Sequence, residues 1–366
     1  MLTLLKNINC VYPDFIGVKD IVIACGKIFK ILPPGTILNN RLIENVIDCR
    51  GLRAFPGFID QHVHIAGAGG EQGFQSRTKA LEVQVLFGAG ITTAVGLLGA
   101  DGTTRSMENL YAKAKALEAE GLTTFIYSGS YSVPPVTLTG SVLRDIVYID
   151  KVVGAGEIAL SDHRSSNPDA KALIKLAADV HVGGLIAGKK GVVHLHVGDG
   201  KGGLTPLTEA LVQSDLPAAL FIPTHLNRNP ALFRQAVDYG KAGGRIDLTA
   251  GEKAGLTVPD AVRVLVAEGV DLSRVTVSSD AGGSVPSGGS ALPSALYDDF
   301  TEIIRQSVLP PEGAIRLFTE NAAKALGIYP IKGALREASD ADILITDKEY
   351  HLKMLFCMGQ QVVKDT

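Results

Sequence analysis

Two histidines one residue apart, His62 and His64, follow the short apolar run Phe55-Pro-Gly-Phe-Ile-Asp60. On a β-strand alternate side chains share a face, so both imidazoles would point the same way, close enough to bind one cation. A glycine-rich loop, Ala66-Gly-Ala-Gly-Gly70, follows and leads to a carboxylate, Glu71. Residues of the same chemistry recur downstream. They are Glu157 ahead of Ser161-Asp-His-Arg164, His194 and His196 ahead of Gly198-Asp199, His225 in Thr224-His-Leu-Asn-Arg228, and Asp280 in Ser278-Ser-Asp280. Taken singly, a histidine in an apolar strand is more often an ordinary core residue. Several apolar runs that each lead to a ligand residue point instead to a shared centre for one or two divalent cations such as Zn²⁺, Mn²⁺, Fe²⁺ or Co²⁺. His194 shares a face with His196 but sits deeper, where packing is the expected role. His163 is a loop residue beside Arg164, and His181 and His351 fall in a helical pattern and a C-terminal β region.

Such dispersed residues need a scaffold that brings strand ends together. Strand-like runs at 54–59, 91–96, 123–127, 157–160, 191–196, 219–223, 245–248 and 274–278 alternate with helical patterns at 106–120, 169–182, 207–213, 230–242 and 259–268, and a last helix spans 311–325. This alternation predicts an α/β fold, a (β/α)₈ barrel over residues 54–330 whose C-terminal strand ends form the site. A doubly wound open sheet is the alternative, but no GxGxxG follows an early strand. Residues 1–53 and 331–366 hold short β-like runs punctuated by Gly26 and Pro33-Pro34-Gly35. Neither end can bury a core alone, so the two are expected to pair into one small antiparallel β domain.

Composition fits this plan. Hydrophobic residues make up 46% and charged residues 20% of 366, enough for a large core. A net charge of -3 offers no basic surplus for nucleic acid or an anionic membrane surface. Cys10, Cys25, Cys49 and Cys357 show no CxxC spacing, so reduced thiols are expected rather than a zinc knuckle. No apolar run approaches the ~20 residues of a membrane span, and MLTLLKNINC lacks the pattern of a signal peptide, so the expected compartment is the cytoplasm.

The run PGFIDQHVH resembles the opening metal motif of the amidohydrolase superfamily, and Gly26-Lys-Ile and Ser339-Asp-Ala-Asp-Ile-Leu-Ile345 resemble its small β-sandwich domain, built here from both chain ends. GAGGEQG, VGLLGADG, Tyr131 with Val-Pro and Thr139-Gly-Ser141 beyond it, SDHRSS, PTHLNRN and SSDAGGS narrow the resemblance to the isoaspartyl (β-aspartyl) dipeptidase family, over nearly the full length. The resemblance implies a hydrolase that cleaves the isopeptide bond of β-aspartyl dipeptides with a hydroxide shared by two divalent cations, most typically Zn²⁺. It implies that His62, His64, Glu157 and Asp280 hold one cation and Glu157, His196 and His225 the other. Asp280 would also be the general base and Tyr131 the donor to the oxyanion. Glu71 would pair with the substrate ammonium, Arg164 and Arg228 with its carboxylates, and Gly69 and Ser284 would complete the substrate site. A homo-oligomer is also implied.

Two residues depart from the family pattern. Glu157 stands where the family has a lysine carboxylated by CO₂, and Ala100 where it has a hydroxyl residue. Glutamate is shorter by several atoms yet ends in the same two oxygens. A bridge between two metals is therefore expected, with a single metal as the alternative. Other readings are hydrolysis of a cyclic amide or an N-acyl amino acid, and a non-catalytic relative. The intact ligand set argues against the last.

Overall fold

The computed structural model describes residues 2–11, 13, 17–36, 43–285 and 289–364. Its N-terminal strands are β1 (Leu2–Cys10), β2 (Gly17–Ala24), β3 (Lys27–Leu32), β4 (Ile43–Asp48) and β5 (Arg53–Pro56). The expected first barrel strand divides at Gly57: Arg53–Pro56 joins the end sheet, and β6 (Phe58–Val63) begins the barrel. A Cβ on Gly57 would lie 2.4 Å from the Thr92 side chain, so this joint requires glycine.

From there β6, β7 (Ile91–Gly96), β8 (Thr123–Ser128), β9 (Val152–Leu160), β10 (Val192–Val197) and β11 (Phe221–Thr224) pair in chain order, all parallel. β12 (Ile246–Thr249) and β13 (Val275–Ser278) form a separate parallel pair. That pair fills the gap between β11 and β6. The backbone N–H of Leu226 donates to the carbonyl of Asp247 at 3.3 Å, and a parallel bridge joins Val63 to Ala281. The result is a curled parallel sheet of eight strands. Side chains reinforce the joint. Asp247 accepts from Gln61 at 2.7 Å and from Thr224, Thr276 and Ser278 at 2.6 Å each, linking β6, β11, β12 and β13 inside the sheet. Four hydroxyl and amide donors thus satisfy the oxygens of one buried carboxylate.

Helices α1 (Val83–Gly88), α2 (Met107–Ala119), α3 (Val142–Tyr148), α4 (Ala170–Ala187), α5 (Thr205–Val212), α6 (Pro230–Lys241), α7 (Val258–Ala267), α8 (Ser294–Arg305), α9 (Pro311–Phe318) and α10 (Glu320–Leu326) surround it. Their starts are written locally: Ser106, Ser141, Asp169, Asn229 and Thr257 each accept a backbone N–H three residues on. The expected helix over 311–325 breaks at Thr319, whose hydroxyl turns back to the carbonyl of Ile315 at 2.7 Å. The break lets α10 pack Ala322, Ala323 and Leu326 against Ile59, Val153, Val192 and Ile222, closing the end opposite the strand C-termini.

The chain then returns to the end sheet through β14 (Ile343–Thr346), β15 (Leu352–Cys357) and β16 (Gln360–Lys364). The eight strands run β16-β15-β14-β5-β1-β2-β3, with β4 also on β1. The sheet is mixed rather than purely antiparallel, because β1 pairs parallel with both β4 and β5. Leu5, Ile8, Ile21, Ile23, Ile28, Ile343 and Phe356 form its own core. Phe55 of β5 meets Phe300 of α8 edge-on with ring centroids 5.5 Å apart, an aromatic contact that anchors the end sheet to the barrel. Among the described residues no helix is long and apolar enough to cross a membrane.

Candidate active site

The C-terminal ends of β6, β9, β10 and β11, and the residues after β13, converge. Glu157, on β9 and 1% exposed, lies at the middle. Its Oε1 is 3.4 Å from His64 Nε2. Its Oε2 is 3.1 Å from His196 Nδ1, 3.6 Å from His62 Nε2 and 3.8 Å from His225 Nε2. Asp280 Oδ1 completes one side, 3.2 Å from His62 Nε2 and 3.1 Å from His64 Nε2. His225 and Asp280 both take left-handed backbone conformations, with φ of 63° and 54°. Such conformations are uncommon without glycine and are kept where the surroundings enforce them, as at functional sites. A side chain at Gly99 would crowd the centre, since its Cβ would lie 3.0 Å from the His64 ring.

The donor set suits a cation. Ligand atoms of His62, His64 and Asp280 all lie within 4.8 Å of one another, as do those of His62, Glu157 and His225. His62 Nε2 is buried with no hydrogen-bond partner, although two carboxylates stand beside it. A bound metal ion would satisfy that nitrogen and offset the gathered negative charge. Without one, burial works against charge on His62, but Glu157 and Asp280 outweigh it and push the imidazole up to about 9. Burial also opposes the Glu157 and Asp280 charges. The surrounding imidazoles prevail and hold both carboxyls well below the usual carboxylate range. Burial, then the nearby Arg228, pushes His225 down to about 3.

Neighbouring groups orient these rings. His62 Nδ1 lies 2.7 Å from His194 Nε2, and His194 stacks on Tyr127 at 5.0 Å. His225 Nδ1 lies 2.7 Å from the Thr249 hydroxyl. His196 Nε2 lies 3.0 Å from Asp162 Oδ2, and its Nδ1 is 3.0 Å from the Tyr131 hydroxyl. Burial, with Glu157 nearby, keeps the Tyr131 phenol well above its usual range, so it stays protonated. On the outer side Arg164 Nη1 lies 3.2 Å from Glu71 Oε1. Arg228 Nη1 lies 3.4 Å from His196 Nε2 and 3.3 Å from the carbonyl of Val197.

The amidohydrolase family model matches residues 246–364. Two crystal structures of the β-aspartyl dipeptidase of Fervidobacterium islandicum AW-1 match with TM-scores of 0.91 and 0.92 at 40% and 42% identity, covering 100% of this chain and 98% of theirs. The chain belongs to the β-aspartyl dipeptidase family. An enamidase of the amidohydrolase superfamily shares the fold, with a TM-score of 0.70 at 18% identity, covering 100% of this chain and 96% of that one. The curled sheet is thus the TIM-like barrel of that superfamily. A dihydroorotase of Elusimicrobium minutum is 37% identical over 73 residues, which is 19% of this chain and 15% of that relative's length. One of the two Fervidobacterium dipeptidase structures contains a β-Asp-Leu dipeptide.

Against the family's expected site, the structure gathers His62, His64, Glu157, His196, His225, Asp280 and Tyr131 as a cluster, with Glu71, Arg164 and Arg228 at its rim. It does not gather all of them in the expected way. His62 stands with Glu157 and His225 as well as with His64 and Asp280, while His196 Nδ1 lies 3.1 Å from Glu157 and its ring 4.7 Å from that of His225. The Nε/Nη2 edge of Arg164 is bound to Asp162, at 2.9 and 2.8 Å, which leaves Nη1 toward Glu71 instead of a free two-pronged edge. Gly69 is buried in the loop after β6, bridged to Arg77. Ser284 is exposed and bridged to Ser290, in a loop of which residues 286–288 lie outside the described part. His194 is not a packing residue alone, since it contacts His62. Asp162 stood inside the SDHR motif, but its partners Arg164 and His196 could be paired with it only in space.

Proposed function

We propose that this chain hydrolyses the isopeptide bond of β-aspartyl dipeptides with the help of two divalent cations, Zn²⁺ foremost. The observation that supports it best is the convergence of four imidazoles and two carboxylates around the buried Glu157, in a chain of this family. His62, His64, Asp280 and Glu157 would hold one cation, and Glu157, His196 and His225 the second. Cations held there would lower the pKa of a water to roughly 7 and polarise the scissile carbonyl. Asp280 takes the proton of the attacking water and hands it to the leaving amine. The Tyr131 hydroxyl, kept protonated by burial, donates to the oxyanion as it forms, a contact worth ~3 kcal/mol in comparable sites. Glu71 pairs with the substrate ammonium. Arg164, through Nη1, and Arg228 meet its carboxylates, with Gly69 and Ser284 lining the approach.

The same reading treats residues 1–53 and 331–366 as a small β-sandwich domain, supported by the separate apolar core of the end sheet, and residues 54–330 as the catalytic barrel, less Ala54–Pro56, which the end sheet claims. It also takes the protein to be cytoplasmic and homo-oligomeric. The test is turnover of β-Asp-Leu by metal-replete and chelator-treated protein. Turnover that disappears with the metal and returns with it is expected. A metal-replete protein inert on β-Asp-Leu but active on dihydroorotate or a hydantoin would replace the substrate assignment.

A further inference from the structure

One buried carboxylate beside the cluster has no part in the proposed chemistry. Asp162 follows β9 and is 6% exposed. Its Oδ2 lies 3.0 Å from His196 Nε2 and accepts from Arg164 Nη2 at 2.8 Å. Its Oδ1 accepts from Arg164 Nε at 2.9 Å and from the Arg164 backbone N–H at 2.8 Å. A single side chain therefore grips both an imidazole of the central cluster and the guanidinium that faces Glu71.

We propose that Asp162 is a positioning residue that couples recognition of the substrate's charged ends to the orientation of His196. An ionised carboxylate only accepts, so Asp162 draws the His196 proton to Nε2; Nδ1, 3.1 Å from Glu157, is then the nitrogen left for the cation that Glu157 and His196 would share. The same carboxylate fixes the plane of Arg164 through two parallel N–H donors, a geometry that lysine cannot reproduce. With that edge taken, Arg164 presents Nη1 outward to Glu71 and lays its guanidinium over the Tyr131 ring at 5.2 Å. The Tyr131 hydroxyl is in turn 3.0 Å from His196 Nδ1, so Asp162, Arg164, Tyr131 and His196 form a closed loop of contacts. A dipeptide that draws on Arg164 Nη1 through a carboxylate is thereby felt at His196. A shift of His196 likewise moves the Arg164 plane.

This rests on the proposed dipeptidase reading, and the measurements are chosen to fail separately from it. Wild-type, Asp162→Asn and Arg164→Lys proteins are compared by chelator competition for zinc and by KM and kcat on β-Asp-Leu at saturating zinc. Asp162→Asn is expected to weaken zinc binding 10- to 100-fold, roughly the loss seen when the carboxylate behind a ligand histidine is removed. It should also raise KM by about tenfold or more at saturating zinc, and Arg164→Lys, which reaches His196 through Asp162, should raise KM and weaken zinc binding by a smaller factor than Asp162→Asn. Unchanged zinc affinity in Asp162→Asn overturns the proposal, and so does an unchanged KM once zinc is saturating. If Asp162→Asn does not fold, ¹⁵N NMR of the imidazoles in zinc-loaded wild-type protein decides: a His196 proton on Nε2 supports the proposal, and one on Nδ1 overturns it. A wild-type protein that binds zinc yet spares β-Asp-Leu sinks the dipeptidase reading alone, because zinc affinity and the His196 tautomer still judge Asp162.

Discussion

Glu157 decides most at the scale of single residues. Its short stem brings two oxygens into the middle of four imidazoles, with Oε1 toward His64 and Oε2 toward His62, His196 and His225. A lysine at this position would have to react with CO₂ before it could present an anion, whereas glutamate is charged as synthesised. Turnover of β-Asp-Leu by zinc-replete protein should therefore be the same in CO₂-depleted buffer and in bicarbonate. Rescue by bicarbonate would count against Glu157 as the bridging group. The motif SDHR located Glu157 because motif spacing is local information. The contact between His194 and His62 was invisible in the chain because it joins residues 132 positions apart. A histidine one turn of the pleat below a ligand reads as core until its neighbour across the barrel is known.

At the scale of elements, the weak place in the barrel is where β12 and β13 meet β11 and β6. There the backbone ladder is replaced by single contacts and by the side-chain hub on Asp247. Asp247→Ala would strand the donors of Gln61, Thr224, Thr276 and Ser278 in a buried space. Each stranded group costs about 1–3 kcal/mol when water cannot reach it, so a total loss on the order of 3–5 kcal/mol is expected after relaxation. Urea denaturation measures it, and a loss below about 1 kcal/mol would show that the hub does not hold the strands together. The alternation of strands and capped helices was legible because apolar periodicity and caps such as Ser106 and Asn229 lie within a few residues. The joints were not. Gly57 is dictated by Thr92 across the strand pair, and the break at Thr319 by the need of α10 to enter the barrel floor.

Across the whole molecule, the alternation also told that distant residues would share one mouth, because a parallel barrel carries every strand's C-terminal end to the same face. The fine use of the rim was hidden, since only the folded chain shows that Asp162 occupies the fork of Arg164. The long span between ligands has a thermodynamic consequence. The candidate ligands extend from His62 to Asp280, so the unfolded chain has no preformed site and a metal would bind the folded state alone. Linkage then makes stability depend on metal concentration, by about 4 kcal/mol at a thousandfold excess over the dissociation constant. In a chain longer than 250 residues each kcal/mol moves the melting temperature by roughly 2 °C or less, so the metal-free protein should melt on the order of 5 °C lower. Differential scanning calorimetry of chelator-dialysed protein, titrated back with zinc, checks this. The melting temperature should climb with the logarithm of free zinc, and the Asp280→Ala protein should climb less steeply at low zinc because its affinity is weaker. A melting temperature that ignores zinc across that range would mean that the six gathered side chains do not hold a metal in the folded protein.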